Sequence, residues 1–417
     1  MEENYSIADI NLAETGEKQI TLAREQMVGL VELKKELAKK DTFKNVRIGM
    51  ALHVTKETAV LVESLVELGA QIAITGCNPL STQDDVAAAL AKKGVRVYAK
   101  KGVSVDEYYE QLNKVLDFEP HITIDDGCDL VNLVHTKRKD CLNTIIGGCE
   151  ETTTGIIRLN AMKKEGILKY PVVAVNDSKT KHMVDNYYGT GQSTLDGILR
   201  ATNVLIAGKT VVVCGYGDCG KGIAMRAKSF GAKVIVTEVN HFKALQAYFD
   251  GHRVMQMKDA AKEGDIFVTV TGDKGVIRYE HMKDMKSGAI LCNSGHFDIE
   301  IEVAKLKRNS KVTKMRSFMN KYEFDNKHIY VLAEGRLVNL SAAEGHPSLV
   351  MSFSFCNQML GCAFLIENKG KLSNDLHVLP DEIDQKISHI HLTALGVEID
   401  ELTEEQKAYL AGWEEGT

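Results

Sequence analysis

The stretch that decides the fold is Lys209-Thr210-Val211-Val212-Val213-Cys214-Gly215-Tyr216-Gly217-Asp218-Cys219-Gly220-Lys221, with Lys233-Val234-Ile235-Val236-Thr237-Glu238 after it. The apolar run 209–214 predicts a buried strand, 221–230 a helix that Gly231 stops, and 233–237 the next strand. Gly215-x-Gly217-x-x-Gly220 falls between strand and helix, the context this pattern needs. The first glycine permits a tight turn, the second lets backbone approach a pyrophosphate, and the third lets helix and strand pack closely. A helix N-terminus there offers free N–H groups to an anion. Gly215, Gly217, Asp218, Cys219 and Gly220 are therefore candidate dinucleotide contacts. Glu238 stands 23 residues after Gly215. An acid there accepts from a ribose 2′-hydroxyl and repels a 2′-phosphate, so NAD is expected over NADP. Lys243 nearby weakens that preference slightly.

The βα rhythm extends in both directions. Downstream, 265–269 and 289–292 read as further strands, and the last 70 residues read as mostly helical, ending in a polar helix over 404–413. Upstream, 1–40 looks helical, then 46–52, 71–75, 95–99, 121–124 and 172–175 read as strands. Helices are expected at 55–68, 86–93 and 106–116, with Ser81-Thr82-Gln83-Asp84 as a capping box. Strands alternating with helices predict α/β architecture with doubly wound parallel sheets. Ligands in such sheets sit outside the carboxyl ends of the strands. Leu52-His53, Gly76-Cys77-Asn78, Asp125-Asp126-Gly127 and Asn176-Asp177 fall there and form a polar rim.

Composition narrows the class. The 417 residues exceed one ordinary core and predict two or three domains. A net charge of -6 with interspersed signs gives no footprint for nucleic acid. No apolar run approaches the 18 or so residues that span a membrane. Glu2, Glu3, Asp9, Glu14 and Glu17 near the start are unlike a secretion signal. Nine cysteines without a CxxC pair argue against disulfides and a cysteine-built zinc site, so no metal is expected and a cytoplasmic location fits.

Four local patterns carry chemistry. Lys181 and Asp185, with Asn186, follow the strand-to-helix turn Asn176-Asp177-Ser178, and a Lys beside an Asp can move protons on a sugar hydroxyl. Glu150-Glu151-Thr152-Thr153-Thr154 suits hydrogen bonding to ribose and to a carboxamide. Asn293-Ser294-Gly295-His296-Phe297-Asp298 leaves the carboxyl edge of a dinucleotide-domain strand. Gly345-His346-Pro347, after Ala333–Asn339, reads as a loop returning from that domain. Gly-x-Ser-x-Gly, His-Glu-x-x-His and Walker patterns are absent, which argues against serine hydrolases, zincins and P-loop enzymes. On residues alone, an ordinary NAD-dependent dehydrogenase and a non-catalytic NAD-binding protein stay open.

Together these segments resemble the S-adenosylhomocysteine hydrolase family, from Ile7-Ala8-Asp9-Ile10 to the terminal helix. The resemblance implies a catalytic domain in two pieces, 1–184 and 343–390, around an inserted Rossmann NAD domain at 185–342, with a helical segment at 391–417. It implies a homotetramer acting on a nucleosyl-homocysteine. In the family, NAD oxidises the ribose 3′-hydroxyl, which acidifies the 4′-hydrogen. Homocysteine then leaves the 5′ carbon, water adds, and the ketone is reduced again, so NAD behaves as a prosthetic group.

By the same resemblance, Lys181 and Asp185 handle the 3′-hydroxyl proton, Glu151 the 2′-hydroxyl, and Asp126 the 4′ proton. His53 and His296 serve the 5′ side. Thr152, Thr153, Thr154, Asn186, Asn339, Ser294, Gly295, His296 and His346 face the nicotinamide end, and Glu238 and Lys243 the adenosine ribose. Thr55, Glu57, Glu344, His346, Met351 and Phe355 surround the substrate base. Glu344 stands where longer members carry Met, and an acid there suits the N1–H of hypoxanthine. Glu57 suits a 6-amino donor, so the adenosyl substrate is expected, with S-inosyl-L-homocysteine as the alternative. The chain ends at Trp413-Glu414-Glu415-Gly416-Thr417, without the Lys/Tyr-bearing tail of longer members.

Overall fold

A computed structural model describes residues 4–413; residues 1–3 and 414–417, with Glu2, Glu3 and the final Glu414-Glu415-Gly416-Thr417, lie outside the described residues. Seven strands form the first sheet before the chain leaves it: β1 (Tyr5–Ser6), β2 (Arg47–Ala51), β3 (Gln71–Thr75), β4 (Arg96–Tyr98), β5 (Ile122–Asp125), β6 (Gly147–Glu150) and β7 (Val172–Ala174). Their order is β1-β4-β3-β2-β5-β6-β7, and every pairing is parallel. The winding reverses between β2 and β5. The loops after those two strands diverge there and leave a crevice.

The second sheet holds β8 (Thr210–Cys214), β9 (Lys233–Thr237), β10 (Arg253–Val254), β11 (Ile266–Thr269), β12 (Ala289–Asn293), β13 (Lys311–Arg316), β14 (Met319–Phe324) and β15 (Lys327–Leu332). Its order is β10-β9-β8-β11-β12-β15-β14-β13, with a reversal between β8 and β11. β8 to β12 are mutually parallel, whereas β13-β14-β15 is an antiparallel extension that the sequence did not reveal. The chain then returns, and β16 (Leu376–His377) pairs with β7. The second sheet is thus an insertion within the first.

Several sequence expectations shift. The helical start divides into Ala13–Gln26 and Val28–Leu37, because buried Met27 sits at φ -89°, ψ 50° between them. β6 was missed because Gly147 and Gly148 hide its β pattern. An added Cβ on Gly147 would lie 2.7 Å from Leu365, and one on Gly148 2.5 Å from Thr123 Oγ1 of the paired strand β5, so neither position has room for a side chain. The expected capping box at Ser81 does not form: the helix is Asp84–Lys92, Gln83 precedes it, and Ser81 turns toward His53 instead. The helix after the glycine turn is Asp218–Ser229, so it starts three residues before the expected Lys221 and already contains Gly220.

Helix Ser348–Glu367, 20 residues with mean hydropathy 1.7, is long and apolar enough to cross a membrane, contrary to the sequence reading. It is a core helix here. Ser352, Ser354, Asn357 and Gln358 interrupt its apolar run, and all four are buried and hydrogen-bonded within the protein.

Helix Asp218–Ser229 crosses the segment 182–189 so closely that a Cβ on Gly222 would lie 1.9 Å from Tyr187 O, a backbone atom. Overpacking of this kind costs about 1–3 kcal/mol. Gly222→Ala is expected to lower the calorimetric Tm by several degrees; an unchanged Tm would contradict this crossing.

Candidate active site

The carboxyl edges of the two sheets face one cavity of about 1060 Å³. Every site residue expected from the sequence borders it except Gly220, which packs against the turn. A Cβ on Gly220 would lie 2.1 Å from Gly215 O, and Gly215 itself holds φ +106°, which only glycine adopts readily. A Cβ on Gly217 would meet only Lys243 Nζ, at 3.8 Å, so that position opens to the cavity. Glu238 turns back to the loop: its Oε2 accepts from Tyr216 N (2.8 Å) and its Oε1 from Val239 N (2.7 Å) and Asn240 N (3.0 Å). These bonds and Lys243 hold its carboxyl below the usual range against the opposing effect of burial.

The residues present fit a dinucleotide. Asn339 donates from Nδ2 to Ser193 Oγ (3.1 Å), while its Oδ1 is buried without a partner, an acceptor suited to a carboxamide N–H. Ser294 is fixed by Thr194 (2.6 Å). The loop after β11, Thr271 to Val276, also lines the cavity and was missed in the sequence. Buried Glu300 organises it, accepting from Thr271 N (2.9 Å), Thr271 Oγ1 (2.8 Å) and Gly272 N (2.9 Å). Its only signal is the turn-forming Thr-Gly-Asp-Lys-Gly at a strand end.

The centre is a buried charge knot. Lys181 Nζ donates to Asp185 Oδ1 (3.0 Å) and Asn186 Oδ1 (2.9 Å), and Glu151 Oε1 lies 3.5 Å away. The spacing i, i+4 does not arise on an α-helix: 182–189 is a π-helical turn, a feature frequent at functional sites. Ser354 and Gln358 of the core helix donate to Glu151, and His346 Nε2 stands 3.5 Å from Asp185 Oδ1. Burial alone would strip Lys181 of its proton, but Asp185 and Glu151 outweigh it and raise its pKa. Burial likewise pushes Asp185 up, and Lys181 and His346 override this, holding it well below the usual carboxylate range. Glu151 goes the other way: burial raises it against the pull of Lys181. The knot sits beside the glycine turn, where burial pushes the Cys219 thiol up to about 11 despite the Lys181 charge.

A second cluster lies at the β2/β5 reversal. Asp126 Oδ2 is 3.3 Å from His53 Nε2, and Asp126 Oδ1 is 3.4 Å from His296 Nδ1. His296 comes from the inserted sheet and packs on Gly127, where a Cβ would lie 2.4 Å from its ring. Buried Asp125 accepts from Asp126 N (3.0 Å) and Val131 N (2.8 Å), and Glu150 accepts from Gly127 N (2.8 Å) and Thr152 N (3.2 Å). The sequence placed Asp125 on the polar rim and Glu150 among ribose-bonding groups, but neither lines the cavity; instead they fix the two loops that carry Asp126 and Thr152. Burial raises Asp125 to about 7 and Glu150 well above its usual range.

Thr55, buried Glu57, Met351 and Phe355 line another part of the cavity. Ser348 Oγ donates to Glu57 Oε1 (2.8 Å). Glu344 reaches the cavity wall but is spanned by Lys56 (2.8 Å) and Arg200 (3.0 Å) and is half exposed. Of these two cations Lys56 is mostly buried and Arg200 half exposed.

The folds and the site define an NAD-binding enzyme built from a substrate sheet and an inserted dinucleotide sheet. Residues 4–146 match the model of S-adenosyl-L-homocysteine hydrolase and 186–345 that of S-adenosyl-L-homocysteine hydrolase, NAD binding domain. The chain is 58% identical over 414 residues to the S-inosyl-L-homocysteine hydrolase of Methanocaldococcus jannaschii, covering 99% of this chain and 100% of that one. It is 55% identical to the S-inosyl-L-homocysteine hydrolase of Methanococcus maripaludis and 54% to the adenosylhomocysteinase of Sulfolobus acidocaldarius, each over 99% of this chain and 100% of the relative. The chain belongs to the S-adenosyl-L-homocysteine hydrolase family.

Burial lowers the His53 pKa to about 4, despite Asp126 beside it. His53 is therefore neutral at neutral pH. Because the folded value lies below the unfolded one, its contribution to stability is complete above about pH 6.5 and is lost as pH falls toward 4. His53→Asn is expected to shrink the loss of unfolding free energy between pH 7 and pH 5 in urea titrations. An identical loss in the variant would contradict the buried neutral imidazole.

Proposed function

We propose that this chain hydrolyses the thioether of S-adenosyl-L-homocysteine to adenosine and homocysteine. The observation that carries this reading is the buried Lys181–Asp185–Glu151 knot set against the glycine turn. Bound NAD supplies the oxidising power at the ribose 3′ carbon and restores it before product leaves. Thr152, Thr153, Thr154, Asn186, Ser294, Gly295 and Asn339 would hold its nicotinamide end, and Gly215, Gly217, Asp218, Cys219, Glu238 and Lys243 the remainder.

In this reading Lys181 and Asp185 orient the 3′-hydroxyl and relay its proton, and Glu151 holds the 2′-hydroxyl. Asp126 takes the 4′ proton, once a 3′ ketone has acidified it. Neutral His53 accepts a proton from water at the 5′ side, and His296 shares Asp126 with it. His346 supports Asp185 from the base side. The two chain crossings, near 184 and 342, serve as hinges between substrate and NAD domains. We place the enzyme in the cytoplasm as a homotetramer. Nine free cysteines suit a reducing compartment, and exposed Phe242, Leu245 and Phe249 on one helix suit a subunit contact.

For the base, Glu57 favours adenine, since a buried carboxylate accepts from a 6-amino group. A second reading, the inosyl thioether, is supported by the names of the Methanocaldococcus and Methanococcus relatives.

Lys181→Ala and Asp185→Asn are each expected to cut kcat by about 10²–10⁴-fold while NAD stays bound. Retained turnover would end the assignment. Comparing kcat/KM for the two thioethers decides the base: on the order of a hundredfold preference for the inosyl compound would overturn the adenosyl reading.

A further inference from the structure

Cys77 is the one thiol in contact with the Asp126 cluster, and the reaction proposed above makes no use of it. It follows β3, and its Sγ lies 3.6 Å from Asp126 Oδ2, the same oxygen that His53 Nε2 approaches to 3.3 Å. The three ligand atoms lie within 4.8 Å of one another. They come from the ends of three adjacent strands, β3, β2 and β5, so no local cysteine or histidine spacing announces them.

The distances have a specific chemical meaning. Zinc binds thiolate sulfur at about 2.3 Å and imidazole nitrogen or carboxylate oxygen at about 2.0 Å, in a tetrahedron. The edges of such a tetrahedron are about 3.3 Å between nitrogen and oxygen and about 3.5 Å between sulfur and oxygen. The observed 3.3 Å and 3.6 Å match both edges. The third pair, His53 and Cys77, lies within 4.8 Å, against a nitrogen-to-sulfur edge of about 3.5 Å. His53 and Asp126 line the cavity while Cys77 sits behind them, so the fourth vertex faces the cavity. His53 is also oriented for the role, because Ser81 Oγ lies 2.6 Å from its Nδ1 and leaves Nε2 directed at the cluster.

We propose that His53, Cys77 and Asp126 form a binding site for a thiophilic divalent cation of the zinc class. The ion inhibits the enzyme by capturing two groups that the reaction needs. Binding replaces the Sγ–H proton of Cys77, which goes to solvent, and involves no change of oxidation state. The open fourth position accepts a thiolate, so free homocysteine tightens binding by completing the tetrahedron.

The test uses the NAD-loaded enzyme freed of trace metals. Zn²⁺ is expected to bind with one equivalent per chain in calorimetry, to release about one proton per ion in unbuffered solution, and to inhibit competitively with the thioether substrate. Co²⁺ in its place is expected to give the visible bands of a tetrahedral ion together with thiolate-to-cobalt charge transfer. Cys77→Ser is expected to keep its turnover and to raise the inhibiting Zn²⁺ concentration by about 100-fold or more, since losing an outer partner alone costs roughly 10–100-fold. Inhibition equally strong in Cys77→Ser, or a wild-type cobalt spectrum without the thiolate band, would overturn the proposal. The cobalt spectrum decides it even if the variant fails to fold.

Discussion

A lysine ammonium stripped of water must be compensated locally, and the architecture around Lys181 is arranged by that need. Asp185 and Asn186 supply two acceptors from the next turn of the chain, Glu151 a third from the end of β6, and Ser354 and Gln358 hold Glu151 from the core helix. Three separate segments of the chain are thereby fixed to one point. An α-helical turn places positions i+3 and i+4 on one face, whereas here i+4 and i+5 both reach Lys181. The wider π turn makes that possible. Removing any one acceptor would leave a buried charge short of partners, which is costly in a low-dielectric setting.

The acids divide by neighbour rather than by residue type. Asp185, hydrogen-bonded by Lys181, is held low, whereas Glu151, 3.5 Å from that ammonium, and Asp125 and Glu150, which have backbone N–H partners, are pushed upward by burial. The last two act as struts for the loops that carry Asp126 and Thr152. The cavity is thus backed by a charged knot on one side and, behind the Asp126 loop, by acids that burial pushes toward the neutral form.

Much of this was legible in the sequence. Gly215, Gly217, Gly220 and Glu238 carried the dinucleotide sheet because their spacing reflects a backbone constraint that tertiary packing cannot alter. The rim residues His53, Asp126 and Asp177 followed from strand ends in the same way. What stayed hidden depended on long-range contacts. β6 is masked by two glycines that only contacts with Leu365 and with Thr123 on the paired strand explain, and Ser81 looked like a helix cap because its partner, His53, is 28 residues away. The pairing of Glu344 with Lys56 and Arg200 joins positions 288 and 144 residues apart, which no local pattern encodes. The core helix was expected only as part of a mostly helical last 70 residues; its long apolar character escaped notice because its polar residues interrupt the run, although those same residues serve Glu151 and Thr180.

The inserted sheet is joined to its host by two covalent strands of chain that pass side by side. A body held by two adjacent tethers keeps essentially one easy motion, rotation about the line through them, like a book about its spine. The cavity lies along that spine, between the pages. A ligand in the cavity therefore lies between the two pages, where His296 of the inserted sheet packs on Gly127 of its host.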